Sequence, residues 1–275
     1  MKAGAIVGQY NVNTEVDSVI FYKPTIAQND TIYIMKAGAI VGQYNVNTEV
    51  DSVIFYKPII AQNDTEGTFT DFRDGNEYNW VKIGDQVWMA ENLKYLPSVV
   101  RPSTGSNTTA YYYVYGYDGT NVTDAKATAN YATYGVLYNW TAVMNGAAST
   151  TANPSTIQGV CPTGWHLPSN AEWTELIDYL GGQSVACGKL KETGTTHWES
   201  SNAEATNETG FTALPGGNRN VDGLFDDIGS YGYWWSATEF DVSFAWSRDM
   251  YSYTSYVHIL NSKKDLGFSV RCVRD

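Results

Sequence analysis

The residues most capable of chemistry here are few, and they do not form a catalytic pattern. The three histidines, His166, His197 and His258, lack ligand spacing, and no zinc motif, phosphate loop or nucleophile elbow occurs. His166 sits in Gly164-Trp165-His166-Leu167-Pro168, where a packed or hydrogen-bonded imidazole near the core is expected. The acidic residues Asp222, Asp226, Asp227 and Glu239 could offer oxygens to a structural calcium. Solvated surface carboxylates are the favoured reading of them, and no metal or other cofactor is expected.

Residues 218–266 differ from the rest of the chain. Positions held by Gly, Trp and Arg (Gly223, Gly229, Gly232, Trp234, Trp235, Trp246, Arg248) alternate with Tyr, Ser, Asp, Asn and Phe. Tyr, Ser and Asp together number 18 in that stretch, a composition suited to contact surfaces. Tyr offers large contact area for little lost rotamer entropy, and Ser and Asp offer adaptable polar contacts. In extended conformation, Asp249, Tyr251, Tyr253 and Ser255 would share one face. The alternation predicts an exposed face built from Asn218, Asn220, Asp222, Tyr231, Phe240, Asp241, Phe244, Asp249, Tyr251, Tyr253 and Ser255. An ordinary aromatic-rich β surface, with part of its Tyr in the core, is the plainer reading.

These residues need a scaffold. Asp74-Gly75 predicts a hairpin turn, followed by a strand over 78–83, a turn at Gly84-Asp85 and the segment 86–93. Tyr134, Leu137, Tyr138 and Thr141 recur at helical spacing, predicting a helix over 131–145 ended by Gly146. A second helix is signalled by Ser169 and Glu172, spaced as a capping box. Trp173, Leu176, Ile177 and Leu180 then form a stripe, with Gly181-Gly182 as the stop. Beyond Gly210 the chain reads as short strands and glycine turns.

Upstream, residues 1–24 recur unchanged as 35–58, and the identity resumes in IAQNDT after Thr25 against Ile59. The period is 34 residues, a tandem repeat of recent origin. Each unit reads as short strands (Ala5-Ile6-Val7, and Asp17 to Tyr22), forming spacer hairpins over 1–68. Thr31-Ile32-Tyr33-Ile34 runs straight into Met35, so Met1 is expected to lie inside a strand. On that reading the chain starts late, and an export signal precedes it.

Bulk composition narrows the functional classes. Aromatic content of 14% and charged content of 17% suit a folded core rather than disorder. A net charge of −12 disfavours nucleic acid and anionic lipid, which recruit Lys and Arg. No apolar run is long enough to span a bilayer.

Six ordered blocks carry a resemblance: IGDQVWMAENLKY (83–95), YGVLYNWTAVM (134–144), CPTGWHLPSNAEW (161–173), GFTALPGG (210–217), GYWWSAT (232–238) and GFSVRCVRD (267–275). Together they resemble the Fibrobacter succinogenes major paralogous domain family, common in surface proteins of Bacteroidetes, over residues 69–275. The repeats resemble segments that precede such domains in exported proteins. The resemblance implies an α+β, C-type-lectin-like domain with two helices and twisted antiparallel sheets, preceded by short β repeats. It implies a disulfide between Cys161 and Cys272, hence an oxidising, extracellular or outer-surface setting. Cys187 departs from the family, where a small residue is expected. A buried small hydrophobe is the favoured reading of it, with a reactive or intermolecular thiol as the alternative.

The resemblance further implies a non-enzymatic, adhesin- or receptor-type module whose partner is a protein or glycan. Related domains are targets of diversity-generating retroelements, whose adenine mutagenesis scatters Asn codons to Tyr, Ser and Asp. A diversified face, a fixed ligand-binding face and a purely structural surface component all stay open. The family resembles the formylglycine-generating branch of the fold, but that oxidation needs paired reactive cysteines. Fold likeness alone does not carry the activity across.

Overall fold

The computed structural model describes residues 18–20, 31–36, 39–45 and 65–275. The chain divides into two compact units, Met1–Asp64 and Thr65–Asp275. In the first, β1 (Ser18–Ile20), β2 (Thr31–Lys36) and β3 (Ala39–Asn45) form an antiparallel sheet in the order β1-β2-β3. β2 runs through the repeat junction at Met35, as the unbroken β-prone run predicts. The expected strand Ala5-Ile6-Val7 lies outside the described residues, while its second-copy counterpart falls in β3.

The second unit begins with β4 (Glu66–Asp71), β5 (Asn76–Ile83) and β6 (Gln86–Met89). The β4–β5 hairpin closes where expected, with Gly75 at φ 76° and its N–H donating to the Asp71 carbonyl at 2.8 Å. β4 pairs with β5 along its whole length, from Glu66 opposite Val81 to Asp71 opposite Asn76, and so belongs with this unit. The order β4-β5-β6-β15-β9 completes one five-stranded sheet, with β9 (Trp165–His166) and the last strand, β15 (Val273–Arg274).

Between these strands the chain forms β7 (Tyr112–Tyr113), α1 (Val122–Lys126), α2 (Ala129–Tyr134), β8 (Leu137–Tyr138) and α3 (Trp140–Met144). The single helix expected over 131–145 is therefore broken. Gly135, at φ 77°, ends α2, and a Cβ there would stand 2.7 Å from the Leu93 carbonyl oxygen. Leu137 and Tyr138 pair instead with Tyr113 and Tyr112. The Asn139 side chain then caps α3 by accepting the Ala142 N–H at 3.1 Å.

The helix α4 (Asn170–Tyr179) forms as its sequence predicts. Ser169 Oγ accepts the Glu172 N–H at 3.1 Å, and Glu172 Oε2 accepts the Ser169 N–H at 2.8 Å, a reciprocal capping box. Gly181 and Gly182, at φ 101° and 96°, separate α4 from α5 (Gln183–Leu190), which sequence patterning missed. The buried positions of α5 are mostly small (Ala186, Cys187, Gly188), leaving little apolar stripe to read.

The second sheet has the order β11-β10-β12-β13-β14, comprising β10 (Gly216–Arg219), β11 (Phe225–Ile228), β12 (Tyr231–Glu239), β13 (Phe244–Tyr251) and β14 (Val257–Lys263). Its inner face supplies Trp234, Met250 and Val257 to a core shared with Trp88, Trp173, Leu176 and Phe211. Trp88 and Trp173 meet with ring centroids 4.6 Å apart. Each fully buried aromatic of this kind stabilises by roughly 2–3 kcal/mol. Buried indoles also need acceptors, and Trp234 and Trp235 donate to Asn92 Oδ1 and the Tyr138 carbonyl, at 2.9 and 2.8 Å. Cys161 and Cys272 form a disulfide with Cα atoms 6.0 Å apart, tying the start of the CPTGWHLP block to the strand that ends the chain. The unit is thus an α+β assembly with curled, mainly antiparallel sheets and five short helices rather than two.

Candidate functional site

The strand register decides which side chains of residues 218–266 meet. Trp234 lies opposite Arg248, and Arg248 Nη2 donates to the Asn170 carbonyl at 3.0 Å, so this row faces α4. Strand alternation then turns Tyr231 and Tyr233 to the other face. There Tyr231 pairs with Tyr251, and Tyr233 pairs with Asp249, which in turn pairs with His258 of β14.

The rings on this face form a continuous run. Tyr231 lies 6.0 Å from Tyr233, 4.3 Å from Tyr251 and 6.1 Å from Tyr253. Tyr251 stacks on His258 at 4.3 Å, and Tyr256 continues the run 4.9 Å beyond. At the other end Tyr233 stacks on Phe268 at 4.8 Å. Tyr253 is 60% exposed, while Tyr231, Tyr233 and Tyr251 are half-buried.

Carboxylates border the rings. Tyr233 Oη donates to Asp227 Oδ2 at 2.7 Å, and Asn218 Nδ2 donates to the same oxygen at 3.0 Å. Asp227 holds a left-handed backbone, φ 70°, at the end of β11. Asn220 Nδ2 donates to Asp226 Oδ2 at 3.3 Å, and Glu199 accepts the Ser230 hydroxyl at the turn into β12. The phenols are held protonated. The Tyr231 hydroxyl, hydrogen-bonded to Tyr253, is pushed up to about 12, and burial raises Tyr251 and Tyr233.

Asp249 requires a correction. It was expected on the exposed face, yet it is 2% exposed. The side is as expected, but Tyr233 and His258 flank it across the sheet and Tyr251 along its strand, so larger neighbours cover the short carboxyl. Burial pushes its pKa up to about 7, against a hydrogen bond from Ser247 and the charge of Arg248.

Other predicted positions do not join the rings. Phe240 and Asp241 lie in the turn between β12 and β13 and Phe244 opens β13 beside it, roughly 25 Å of strand from Tyr231 at ~3.3 Å per residue. There Phe240 is 49% exposed and packs edge-on to Trp246, and Asp241 Oδ1 accepts the Ser243 and Phe244 N–H groups. Asp222 braces the β10–β11 turn by accepting the Leu224 N–H at 3.0 Å. β13 ends at Tyr251, so the extended alternation stops there, and Ser255 Oγ turns to donate to the Ser184 carbonyl of α5. Asn218 is 7% exposed and reaches the site through Asp227.

Tyr233, Asp227, Tyr256 and His258 were not singled out for this face. Tyr233 stands two residues from Tyr231, a period-2 signal. The others join through cross-strand pairing and turn geometry, which composition does not carry.

Elsewhere, His166 bridges Glu172 at 2.7 Å and Asp275 at 2.8 Å. Burial opposes charge on this imidazole, and the two carboxylates outweigh it to raise its pKa. His197 is held by Glu192 at 2.9 Å. Cys187 is buried, and burial pushes its thiol up to about 11. Glu239, the last residue of β12, forms an ion pair with Lys264, away from Asp226 and Asp227. Among the described residues, no group of three or more His, Cys, Asp or Glu is placed to hold a metal ion. Among them, too, no helix is long and apolar enough to cross a membrane.

Residues 81–274 match the Fibrobacter succinogenes major domain. The chain belongs to that family. Its match runs from the end of β5 through β15, so the ring-lined face lies wholly inside the Fibrobacter succinogenes major domain. Comparisons with curated proteins and with solved structures give no match.

Proposed function

We propose that this Fibrobacter succinogenes major domain is a non-enzymatic, exported ligand-binding module of C-type-lectin-like fold, and that the outer face of β12, β13 and β14 is its contact surface. One observation carries the reading: Tyr231, Tyr233, Tyr251 and Tyr253 converge on one partly exposed face with Asp227 hydrogen-bonded beside them. Partly exposed tyrosines in contact are costly to leave in water and are common binding anchors. The Cys161–Cys272 disulfide suits an oxidising compartment and supports the extracellular or outer-surface assignment. The same disulfide counts against a formylglycine-generating-type oxidase, because it occupies Cys272, and Cys187 carries little thiolate at neutral pH. The Tyr, Ser and Asp content of this segment also suits a diversified face. A near-copy of the gene's 3′ end beside a reverse transcriptase would support that refinement, and its absence would favour a fixed face.

The test is a screen of the full chain against a glycan array and immobilised peptides, with Tyr231→Ala/Tyr253→Ala as the comparison. Binding by the parent that the double variant loses, at an unchanged unfolding midpoint, is the expected result. Equal binding by the double variant would place the contact surface elsewhere.

A further inference from the structure

The ring-lined face has a charge character that narrows what it can hold. Asp227 touches the Tyr233 hydroxyl, Glu199 sits at the turn leading into Tyr231, and Asp226 lies beside Asp227 on β11. Among the described residues, no lysine or arginine forms an ion pair with them. Lys191, whose Nζ reaches the Tyr251 carbonyl at 3.0 Å, is fully buried and directs its charge at carbonyls, that of Thr254 among them. Arg248 points to α4. The chain stacks its own cations on other rings, Arg219 over Tyr113 and Lys264 over Trp140 among them. Among the described residues none of these contacts falls on Tyr231, Tyr233, Tyr251 or Tyr253.

Electron-rich faces beside uncompensated carboxylates attract a cation by two independent terms, the ring quadrupole and direct charge. We propose that the occupant of this face is a partner protein that presents an arginine side chain to the tyrosines and to Asp227. A guanidinium can stack on a phenol ring and donate to a carboxylate edge at once, which an ammonium does less well. This rests on the face being the binding surface and adds the chemistry of what it binds.

The probe is an acetylated, amidated Gly-Ser-Arg repeat peptide, with its citrulline counterpart as the neutral isostere. Binding to the full chain is read by calorimetry in about 0.15 M salt, where the Debye length of roughly 8 Å screens distant charge. The arginine peptide is expected to bind about tenfold or more tightly than the citrulline peptide, the ratio for a desolvated cation–ring contact plus a charge pair. Asp227→Asn should weaken it several-fold, while Asp178→Asn, an equal charge change on exposed α4, should not. Equal binding of the citrulline peptide, equal losses in the two Asp variants, or no binding by the parent would each overturn the cationic partner. Those results leave the face itself standing if Tyr231→Ala/Tyr253→Ala abolishes capture of any array ligand. Arginine-peptide binding unchanged by that double variant would overturn both readings.

Discussion

Replacing Asp249 with Asn isolates the electrostatic tension beneath the ring-lined face. The carboxyl is buried by Tyr233, Tyr251 and His258, and its pKa rises from 3.8 to about 7. In the unfolded chain it ionises near 4, so between pH 4 and 7 unfolding releases a proton that the native state keeps. Stability therefore falls as pH climbs through that window and is flat above it. The span between the two values corresponds to roughly 4 kcal/mol at pH 8, at about 1.36 kcal/mol per pH unit. Asn keeps the shape and the acceptor for Ser247 but cannot ionise. Asp249→Asn should thus stabilise the protein by about 3 kcal/mol more at pH 8 than at pH 4.5, because the unfolded carboxyl is already mostly ionised at pH 4.5. His166 and His258 titrate in both proteins and largely cancel from the difference. Urea unfolding followed by Trp fluorescence is the assay, since all nine Trp lie between Trp80 and Trp246, in the second unit. A variant effect equal at both pH values, or larger at pH 4.5, would refute the reasoning.

Further outcomes follow from local geometry. Ser169→Ala removes one half of the α4 capping box and should lower stability by about 1 kcal/mol, seen as a lower urea midpoint at unchanged slope. Gly135→Ala forces a side chain into a left-handed backbone against the Leu93 carbonyl and should cost about 1–3 kcal/mol or more, read in the same way. Replacing Cys161 and Cys272 with Ser opens a loop of 111 residues and should destabilise by up to about 4–5 kcal/mol in the chain-entropy model, measured as a drop in Tm against the oxidised parent.

Much of the scaffold was legible because its signals are local. Ser169 and Glu172 are three residues apart and satisfy each other's backbone, so the start of α4 could be read directly. Asp74-Gly75 likewise fixed the β4–β5 turn within four residues. The break at Gly135 was not legible, because the same apolar spacing serves a helix when continuous and a strand with two caps when interrupted. The close approach of the Leu93 carbonyl, which favours glycine there, comes from a residue 42 positions earlier.

The candidate face was half legible for the same reason. Tyr231, Tyr251 and Tyr253 were named from composition, and the register brings them together. Asp249 was placed on the correct side but not at the correct depth, since depth depends on Tyr233 and His258 on neighbouring strands. Phe240 and Phe244 share the composition of the face but sit at the far end of its longest strand. Asp227 enters through a left-handed turn residue that no alternation rule would select.

The most direct test of the binding face is Tyr253→Ala, with stability and affinity measured on one preparation. Tyr253 is 60% exposed, so its truncation should move the unfolding free energy by no more than about 0.5 kcal/mol. Affinity for an array-identified ligand should fall by about 2 kcal/mol, or roughly 30-fold, as for an anchor residue. A protein that loses stability and keeps full affinity would contradict the account, because Tyr253 would then be part of the fold and not of a contact surface.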